Sequence, residues 1–409
     1  MFETIRNAFK IKDVRKKILM TILFVVLYRI GCYITVPGLG DISSSLSSDQ
    51  GIFGLLDSVT GSALSQGTLF SLGISPYINA SIIVQLLTVA IPALERMSKE
   101  GDEGREKINK ITRWVTLVLA IVSAIGVFLT LRSQSTEYVN TSWLGAQYSE
   151  FFGTTGGQWI MGAYVVIMLV GGSMLCMWIG ERITEYGVSN GISMLIFAGI
   201  VATAADQLGI SIAGIASNID NLWSVLLFLV TLIFVFAFIV WVDGAEERIM
   251  VRYAKQVKGN KMYGGQSTFI PLKVNASGVM PLIFAYAIMS FPQMLISTID
   301  PDTSGSFSRW WINWLTTGNA TGATTASGIV GPIVYNLILA VLIFVFAYFY
   351  SQIQFNPVEI ARNIQSNGGF VGGIRPGRET AEYINKIVSR ITFWGAVFLT
   401  IIALVPSLL

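Results

Sequence analysis

The stretch Val225–Val242, VLLFLVTLIFVFAFIVWV, contains eighteen successive residues without a charged side chain. A helix needs roughly 20 apolar residues to cross the hydrocarbon core of a bilayer, which is about 30 Å thick. Leu, Ile, Val and Phe at the centre of such a helix favour its insertion into lipid. We therefore predict a transmembrane helix over residues 218–242 and compare the rest of the chain with it.

Eight more segments have comparable length and apolar content, near residues 18–36, 76–94, 113–131, 158–180, 191–208, 274–298, 329–352 and 387–407. The 409 residues are 53% hydrophobic and only 12% charged, whereas soluble domains are about 25% charged. The sequence predicts an all-α polytopic membrane protein with nine spans.

The basic residues orient these spans. With a cytoplasmic N-terminus, 24 of the 27 Lys and Arg residues fall on the cytoplasmic side. Only Arg132 and Arg309 fall outside, and Arg29 lies within the first span. Cytoplasmic loops carry the excess of Lys and Arg in membrane proteins, so the asymmetry predicts a cytoplasmic N-terminus and supports the alternation of nine spans.

The residue inventory argues against catalysis and cofactors. The chain has no histidine, and its two cysteines, Cys32 and Cys176, lie inside apolar segments. Zinc sites of the common kind, Ser-His dyads and disulfide frameworks are therefore excluded, and no phosphate-binding GxxxxGK[ST] loop occurs. The N-terminal stretch is basic and amphipathic, without the pattern of a cleavable signal peptide. We expect no cofactor, no metal and no enzymatic activity.

Two features depart from a simple bundle. The stretch Gly51–Gly67, GIFGLLDSVTGSALSQG, is too short and too rich in Gly and Ser to span. It reads as a re-entrant half-helix, with an interfacial surface loop as the alternative; non-helical backbone at membrane depth needs protein or a water cavity around it. Within the spans, Pro76, the pair at 171–172, Pro281 and Pro292 indicate broken helices, or the ordinary tolerance of membrane helices for Gly and Pro.

Four long stretches resemble the SecY family. They are FSLGISPYINASIIVQLLT (Phe70–Thr88), ERITEYGVSNGISMLIFAGI (Glu181–Ile200), YAKQVKGNKMYGGQSTFIPLKVNASGVMPLIFA (Tyr253–Ala285) and FNPVEIARNIQSNGGFVGGIRPGRETAEYINKIVSRITFWGAVFLT (Phe355–Thr400). They occur in the order of the family and at its topology. The start, MFETIRNAFKIKDVRKKI, is similar to SecY of Gram-positive type.

The resemblance implies a clamshell of two pseudo-symmetric inverted halves, residues 1–208 and 209–409, around an hourglass pore. It implies a channel subunit that passes unfolded secretory polypeptides and releases membrane segments laterally into the bacterial cytoplasmic membrane. The partners it implies are the small membrane subunits SecE and SecG, the SecA motor ATPase, the ribosome, signal sequences, translocating polypeptides and the lipid bilayer.

Five isoleucines are the candidate pore ring. Ile78 and Ile82 are four residues apart and share a helical face, as do Ile192 and Ile196, while Ile283 lies in span seven. Spacing alone would make them lipid-facing or core residues, and the resemblance assigns them to the pore constriction. A narrow apolar constriction hinders hydrated ions by dewetting.

The plug and the lateral gate follow from the same resemblance. The plug covers residues 52–64, and its members are Ile52, Phe53, Leu55, Leu56, Val59 and Leu64. We expect loose packing there, because the segment must leave its seat. Ser81, Gln85 and Thr88 are polar residues at helical spacing in span two; they are the candidate lateral gate, with ordinary helix–helix hydrogen bonding as the alternative.

Two basic loops, 243–273 and 353–386, are the candidate docking surface for the motor or the ribosome. Its predicted members are Arg248, Arg252, Lys255, Lys258, Arg375 and Arg378. Such charges also attract anionic lipid, but the GGIRPG motif, with its Gly and Pro residues, predicts a defined loop tip. The resemblance implies that Arg375 is the key arginine of this loop.

The family has ten spans, and this chain stops at Leu409, at the end of the ninth. The resemblance therefore implies that one contributor to the pore ring is missing. The intramembrane Arg29 receives no role from the sequence. A secondary transporter with inverted repeats is the alternative function, although no acidic residue falls clearly in mid-span. A membrane protease is the third interpretation. The absence of histidine and the absence of a mid-membrane aspartate pair count against it.

Overall fold

A computed structural model describes residues 9–37, 57, 60–134, 155–188, 190–217, 221–253, 256–258, 261–263, 267–275, 277–299, 310–311 and 326–408. The predicted plug residues Ile52, Phe53, Leu55, Leu56 and Val59 lie outside the described residues, as does Lys255 of the predicted docking surface. The chain divides into two compact units, the first comprising Met1–Ala213 and Ser290–Pro332 and the second Gly214–Met289 and Ile333–Leu409.

The structure is mostly helical. In chain order the helices are α1 (Lys12–Gly31), α2 (Ser75–Ala90), α3 (Pro92–Lys99), α4 (Asp102–Gln134), α5 (Thr155–Tyr186), α6 (Gly191–Ser217), α7 (Asn221–Asp243), α8 (Met280–Ile299), α9 (Ala326–Gln354), α10 (Pro357–Ser366) and α11 (Arg378–Leu408). Among the described residues, six helices are long and apolar enough to cross a membrane, or seven if the bent pair α2 and α3 counts as one span. The helical, polytopic class is confirmed, and the count of nine stays a prediction.

In the first unit, α1 and α4 both pack against α5, and α2 packs against α4. Large apolar side chains fill the space between them. Tyr28 of α1 stacks on Phe70 with ring centroids 5.7 Å apart, and both are nearly inaccessible to solvent. Leu169 of α5 is fully buried in a neighbouring cluster.

A non-helical segment, residues 61–74, is largely buried in this unit. Its backbone is hydrogen-bonded to the end of the first span: Leu69 N donates to the carbonyl of Ile34 at 2.8 Å, and Val36 N donates to the carbonyl of Gly67 at 2.9 Å. Non-helical backbone is tolerated inside a membrane protein only when such partners exist. In the described part of the segment 51–67, residues 60, 61, 63, 64 and 67 are buried, which counts against a surface loop there.

Helix α5 approaches this segment closely through a pair of small residues. Ser173 Oγ donates to the carbonyl of Gly73 at 3.1 Å. A Cβ placed on Gly172 would lie 1.8 Å from the carbonyl oxygen of Leu69, whereas a Cβ on Gly171 would meet nothing within 4 Å. Only a glycine at position 172 lets the two backbones touch.

The interpretation of the glycine pair 171–172 as a helix break is wrong, because α5 runs through it without interruption. Pro76 and Pro281 stand at the second residue of their helices, where a missing N–H is no loss. Pro292 is inside α8. The sharp break lies at Ile91, where α2 and α3 meet at 106°.

The second unit contains strands that the sequence did not predict. β1 (Glu246–Tyr253), β4 (Ser267–Lys273) and β5 (Gly369–Val371) form a three-stranded antiparallel sheet in the order β4-β1-β5. β2 (Gln256–Lys258) and β3 (Lys261–Tyr263) form a separate hairpin. The sheet buries one face against α10 and α11, with a core of Ile249, Val251, Leu272, Ile364, Val371, Ile384 and Val388.

The contact of α5 with the non-helical segment gives a first test. Gly172→Ala places a methyl group against the carbonyl oxygen of Leu69, so the backbones of α5 and of the non-helical segment must separate. Overpacking of this kind lowers the free energy of unfolding by about 1–3 kcal/mol. We expect a lower midpoint in thermal unfolding of the detergent-solubilised protein. The neighbouring Gly171→Ala has free space and a helical backbone, where Ala is favoured over Gly by about 1 kcal/mol. Equal midpoints for the two variants would contradict the close approach.

Candidate functional site

The predicted pore residues of the first unit differ in burial. On α2, Ile82 is 3% exposed, while Ile78 is partly buried. On α6, Ile192 and Ile196 are both partly buried. Ile78 and Ile192 pack against the same cluster, which contains Tyr28. The structure thus brings one isoleucine from each of the two predicted pairs to a common apolar region.

The fifth predicted pore residue, Ile283, belongs to the second unit. It is partly buried on α8, next to Phe284, whose ring packs edge-on against Phe346 and Tyr350 of α9. The aromatic contacts fix α8 on α9 at this level. The assignment of Ile283 to a ring with the other four residues stays a prediction.

The predicted gate residues form hydrogen bonds within their own helix. Gln85 Nε2 donates to Ser81 Oγ at 3.4 Å, and Thr88 Oγ1 donates to the carbonyl of Gln85 at 2.6 Å. All three side chains are partly buried. Polar groups already paired within one helix can exchange these bonds for bonds to another chain at small net cost, because a hydrogen bond contributes only about 1 kcal/mol net.

Leu64 is the one predicted plug residue inside the described part of the chain. It is 2% exposed and packs with Val36, Leu72 and Leu169. The expectation of loose packing is wrong at this residue, because Leu64 belongs to the fixed core of the first unit.

The arginines of β1 lie on the exposed face of the three-stranded sheet. Arg248 pairs with Glu246, with Nη2 2.6 Å from Oε1, and its guanidinium lies 4.8 Å from the ring centroid of Phe269 on β4. Arg252 is exposed and stands opposite Phe370 of β5. Side chains alternate between the faces of a strand, so the buried apolar face directs these arginines outward.

The tip 372–377 lies between β5 and α11. Arg375 is exposed, and its backbone carbonyl accepts a hydrogen bond of 2.8 Å from the buried hydroxyl of Thr380. Gly373 and Gly377 have φ angles of 82° and 110°, a region that favours glycine. Arg378 pairs with Glu382 at 3.0 Å, and an exposed pair of this kind contributes less than about 1 kcal/mol.

The sheet joins the two long basic loops into one structure. Val251 of the first loop is paired with Val371 of the second, and Arg252 with Phe370. The predicted residues Arg248, Arg252, Arg375 and Arg378 are therefore carried by a common scaffold. Lys258 lies on the separate hairpin strand β2.

Sequence reasoning missed this scaffold, although a signal was present. In EERIMVRY, Glu246–Tyr253, the apolar Ile249 and Val251 are two residues apart and are flanked by Arg248 and Arg252. Apart from the apolar Met250 between them, this is the two-residue period of a half-buried strand.

The sequence analysis also did not predict a bidentate ion pair between two helices. Arg113 of α4 donates through Nε and Nη2 to the two carboxylate oxygens of Glu181 on α5, both at 2.8 Å. The two-pronged geometry makes such pairs stronger and more directional than a single contact. It joins α4 to the C-terminal part of α5. Nothing in the sequence marked these two residues as partners.

Long apolar helices around an enclosed non-helical segment define a multi-pass membrane protein, and comparisons with solved structures specify its fold. A structure described as a protein-conducting channel matches with a TM-score of 0.63 at 20% identity, over 94% of this chain and 84% of the other. Sec61 in a canine ribosome–channel complex matches with a TM-score of 0.60 at 18% identity, over 95% of this chain and 84% of the other. The fold is that of protein-conducting channels.

Sequence comparison identifies the family. The SecY family profile matches residues 68–409. Protein translocase subunit SecY of Thermotoga maritima is 38% identical, over all of this chain and 88% of that protein. The SecY subunit of Streptomyces coelicolor is 40% identical over 100% and 90%, and that of Escherichia coli is 39% identical over 97% and 84%. The chain belongs to the SecY family, which confirms the resemblance predicted from the sequence.

The loop tip gives a second test. Thr380→Val removes the hydroxyl that holds the carbonyl of Arg375, so the tip should open more often. We expect a several-fold faster cleavage by trypsin after Arg378. Thr400→Val is the matched control, because its hydroxyl bonds only within α11, to the carbonyl of Ala396. An unchanged cleavage rate in the Thr380 variant would show that this bond does not order the tip.

Proposed function

We propose that this chain is the channel subunit of a protein translocase, which passes unfolded secretory polypeptides across the cytoplasmic membrane and releases membrane segments laterally into it. The likeness to protein translocase subunits SecY over essentially the whole chain supports this proposal. The likeness in fold to protein-conducting channels supports it independently. The same comparisons leave the secondary transporter without support.

The mechanism needs a constriction and no chemistry of the chain itself. Ile78, Ile82, Ile192, Ile196 and Ile283 would form an apolar ring that hinders hydrated ions. Branched apolar side chains can yield to a passing polypeptide and close behind it. A subunit of this kind needs no cofactor and no catalytic group, and the energy for transport would come from a partner.

The partners we propose bind the exposed arginines of the three-stranded sheet and the loop tip. Arg252 and Arg375 are exposed and carried by one scaffold. The phosphates of ribosomal RNA and acidic side chains of the SecA motor both suit such a surface.

SecE and SecG are the small membrane subunits that we expect beside the spans. We expect the chain itself to cross the membrane several times, with its N-terminus in the cytoplasm. Two halves, residues 1–208 and 209–409, would part as a lateral gate at Ser81, Gln85 and Thr88.

Polypeptide in the pore is the direct test of the function. Cysteine at position 82 (Ile82→Cys) should form a crosslink to a translocation-stalled secretory chain in native membranes, provided that the chain carries a signal sequence. The matched control is Ile200→Cys on α6, because Ile200 is 49% exposed. A crosslink at position 200 but not at 82, or equal crosslinking without a signal sequence, would contradict a central path for the polypeptide.

The ring assignment is tested by ion conductance. Ile196→Asn introduces a polar amide at a partly buried position, so water and ions should enter more readily. We expect a several-fold rise in ion conductance across planar bilayers containing the translocase. Ile200→Asn on the same helix should leave conductance unchanged. Equal conductance of the Ile196 variant and the unsubstituted protein would remove Ile196 from the ring.

The docking surface is tested at its tip. Arg375→Glu reverses a charge on an exposed side chain, so the fold should persist while binding of SecA or of ribosomes weakens by at least ten-fold, or about 1.4 kcal/mol. Arg362→Glu is the matched control, since Arg362 is an exposed arginine of α10 in the same loop. Measurement of both affinities by titration at fixed salt separates the two partners. Equal losses in the two variants would indicate only a general charge effect.

A further inference from the structure

Arg29 is a charged residue inside the first span, and its surroundings indicate a specific task. Its Nη1 lies 3.5 Å from the carbonyl oxygen of Gly61 and donates to it. Its guanidinium also lies 5.7 Å from the ring centroid of Tyr33. Charged side chains within membrane helices are rare and are usually functional.

Two neighbours of Arg29 act on the same piece of backbone. Tyr28 Oη donates to the carbonyl of Thr60 at 3.5 Å, and Cys32 Sγ lies 3.8 Å from the same oxygen. Residues four apart lie on one face of a helix. Two side chains of the last turn of α1 and that of its C-cap residue, Cys32, therefore converge on two consecutive carbonyl groups.

The backbone that they hold has an uncommon conformation. Gly61 has a φ of 73° and Ser62 a φ of 63°, and the left-handed region is unfavourable for a serine. Asp57 accepts hydrogen bonds from Ser62 N through its backbone carbonyl and from Ser65 N through Oδ1, both at 2.9 Å. A turn of this kind persists only where its surroundings determine it.

The space around Gly61 is closed on two sides. A Cβ at this position would lie 2.3 Å from Nη1 of Arg29 and 3.3 Å from the carbonyl oxygen of Gly199 on α6. Gly61 therefore lies at a junction of α1 and α6, with the arginine as one wall.

The chain beyond the turn is fixed by contacts described above. Its backbone is bonded to the end of the first span, and Gly172 and Ser173 of α5 hold it from another side.

We propose that Arg29 is a positioning residue that holds the turn 60–62 in its left-handed conformation. The link to pore closure rests on the proposed function, because the turn lies within residues 52–64, the predicted plug of the channel. The hold on the turn itself does not depend on it.

Cys32 provides a native reporter of the turn. It is 3% exposed beside the carbonyl of Thr60, so a membrane-permeant maleimide should react with it slowly while the turn is held. In a Cys176→Ser background it is the single cysteine of the chain. We expect Arg29→Gln to raise the rate of Cys32 alkylation at least several-fold and Arg29→Lys to restore most of the protection, because the amine retains charge and donors.

Two further variants control for folding. Arg15→Gln changes an exposed arginine on the same helix, about 20 Å away along its axis, and should leave the alkylation rate unchanged. Gly61→Ala keeps Arg29 but places a methyl group against its guanidinium, and should raise the rate as Arg29→Gln does. If Arg29→Gln fails to yield a monodisperse protein, the alkylation rates of Gly61→Ala and Arg29→Lys are compared with that of the parent instead.

Ion conductance of the same variants separates the hold of Arg29 on the turn from the link between the turn and pore closure. A faster alkylation together with a higher conductance supports both the hold on the turn and its link to the plug. A faster alkylation with unchanged conductance supports the role of Arg29 and counts against the plug. An alkylation rate in Arg29→Gln equal to that of the parent, with Gly61→Ala also unchanged, would overturn the positioning role.

Discussion

Every backbone N–H and C=O group inside the hydrocarbon core must find a partner within the protein, because lipid offers none. Helices meet this demand internally, but the segment 61–74 does not form a helix. Its partners are the first span, which supplies Ile34 and Val36, and α5, which supplies Ser173. The packing of the first unit follows from this arrangement, since both flanking elements must come close enough to hydrogen-bond the segment.

The apolar length and the charge asymmetry of the sequence were enough to predict a helical, polytopic membrane protein. The helix ends agree with the predicted spans to within a few residues in several cases; α6 and the predicted segment 191–208 begin at the same residue. Contacts between distant residues left no comparable trace. A glycine at position 172 is unremarkable in the sequence of a membrane helix. The need for it is explained only by the position of the Leu69 carbonyl in the folded chain. The pair of Arg113 and Glu181 is 68 residues apart, beyond the reach of any local pattern.

The candidate site was predictable in its residue types and less so in its architecture. The isoleucine positions came from a resemblance, since a spacing of four residues in an apolar helix does not distinguish a pore from a core. The basic loops were visible in the sequence as charge clusters. Their strands were overlooked because Gly, Asn and Lys residues interrupt the short alternating pattern between Tyr253 and Ser267. The buried Leu64 shows the opposite case, in which a Gly- and Ser-rich composition concealed a tightly packed residue.

The antiparallel pairing of β1 with β5 has a mechanical consequence. β1 follows α7 after two residues, and β5 is separated from α11 only by the tip 372–377. A load applied at the tip therefore travels along two routes, directly into α11 and through the ladder of hydrogen bonds into α7. Hydrogen bonds loaded in parallel along a strand share the force, so the sheet behaves as a stiff lever between two otherwise independent loops. A force on this surface would therefore reach α7 and α11 together and would not merely displace a loop.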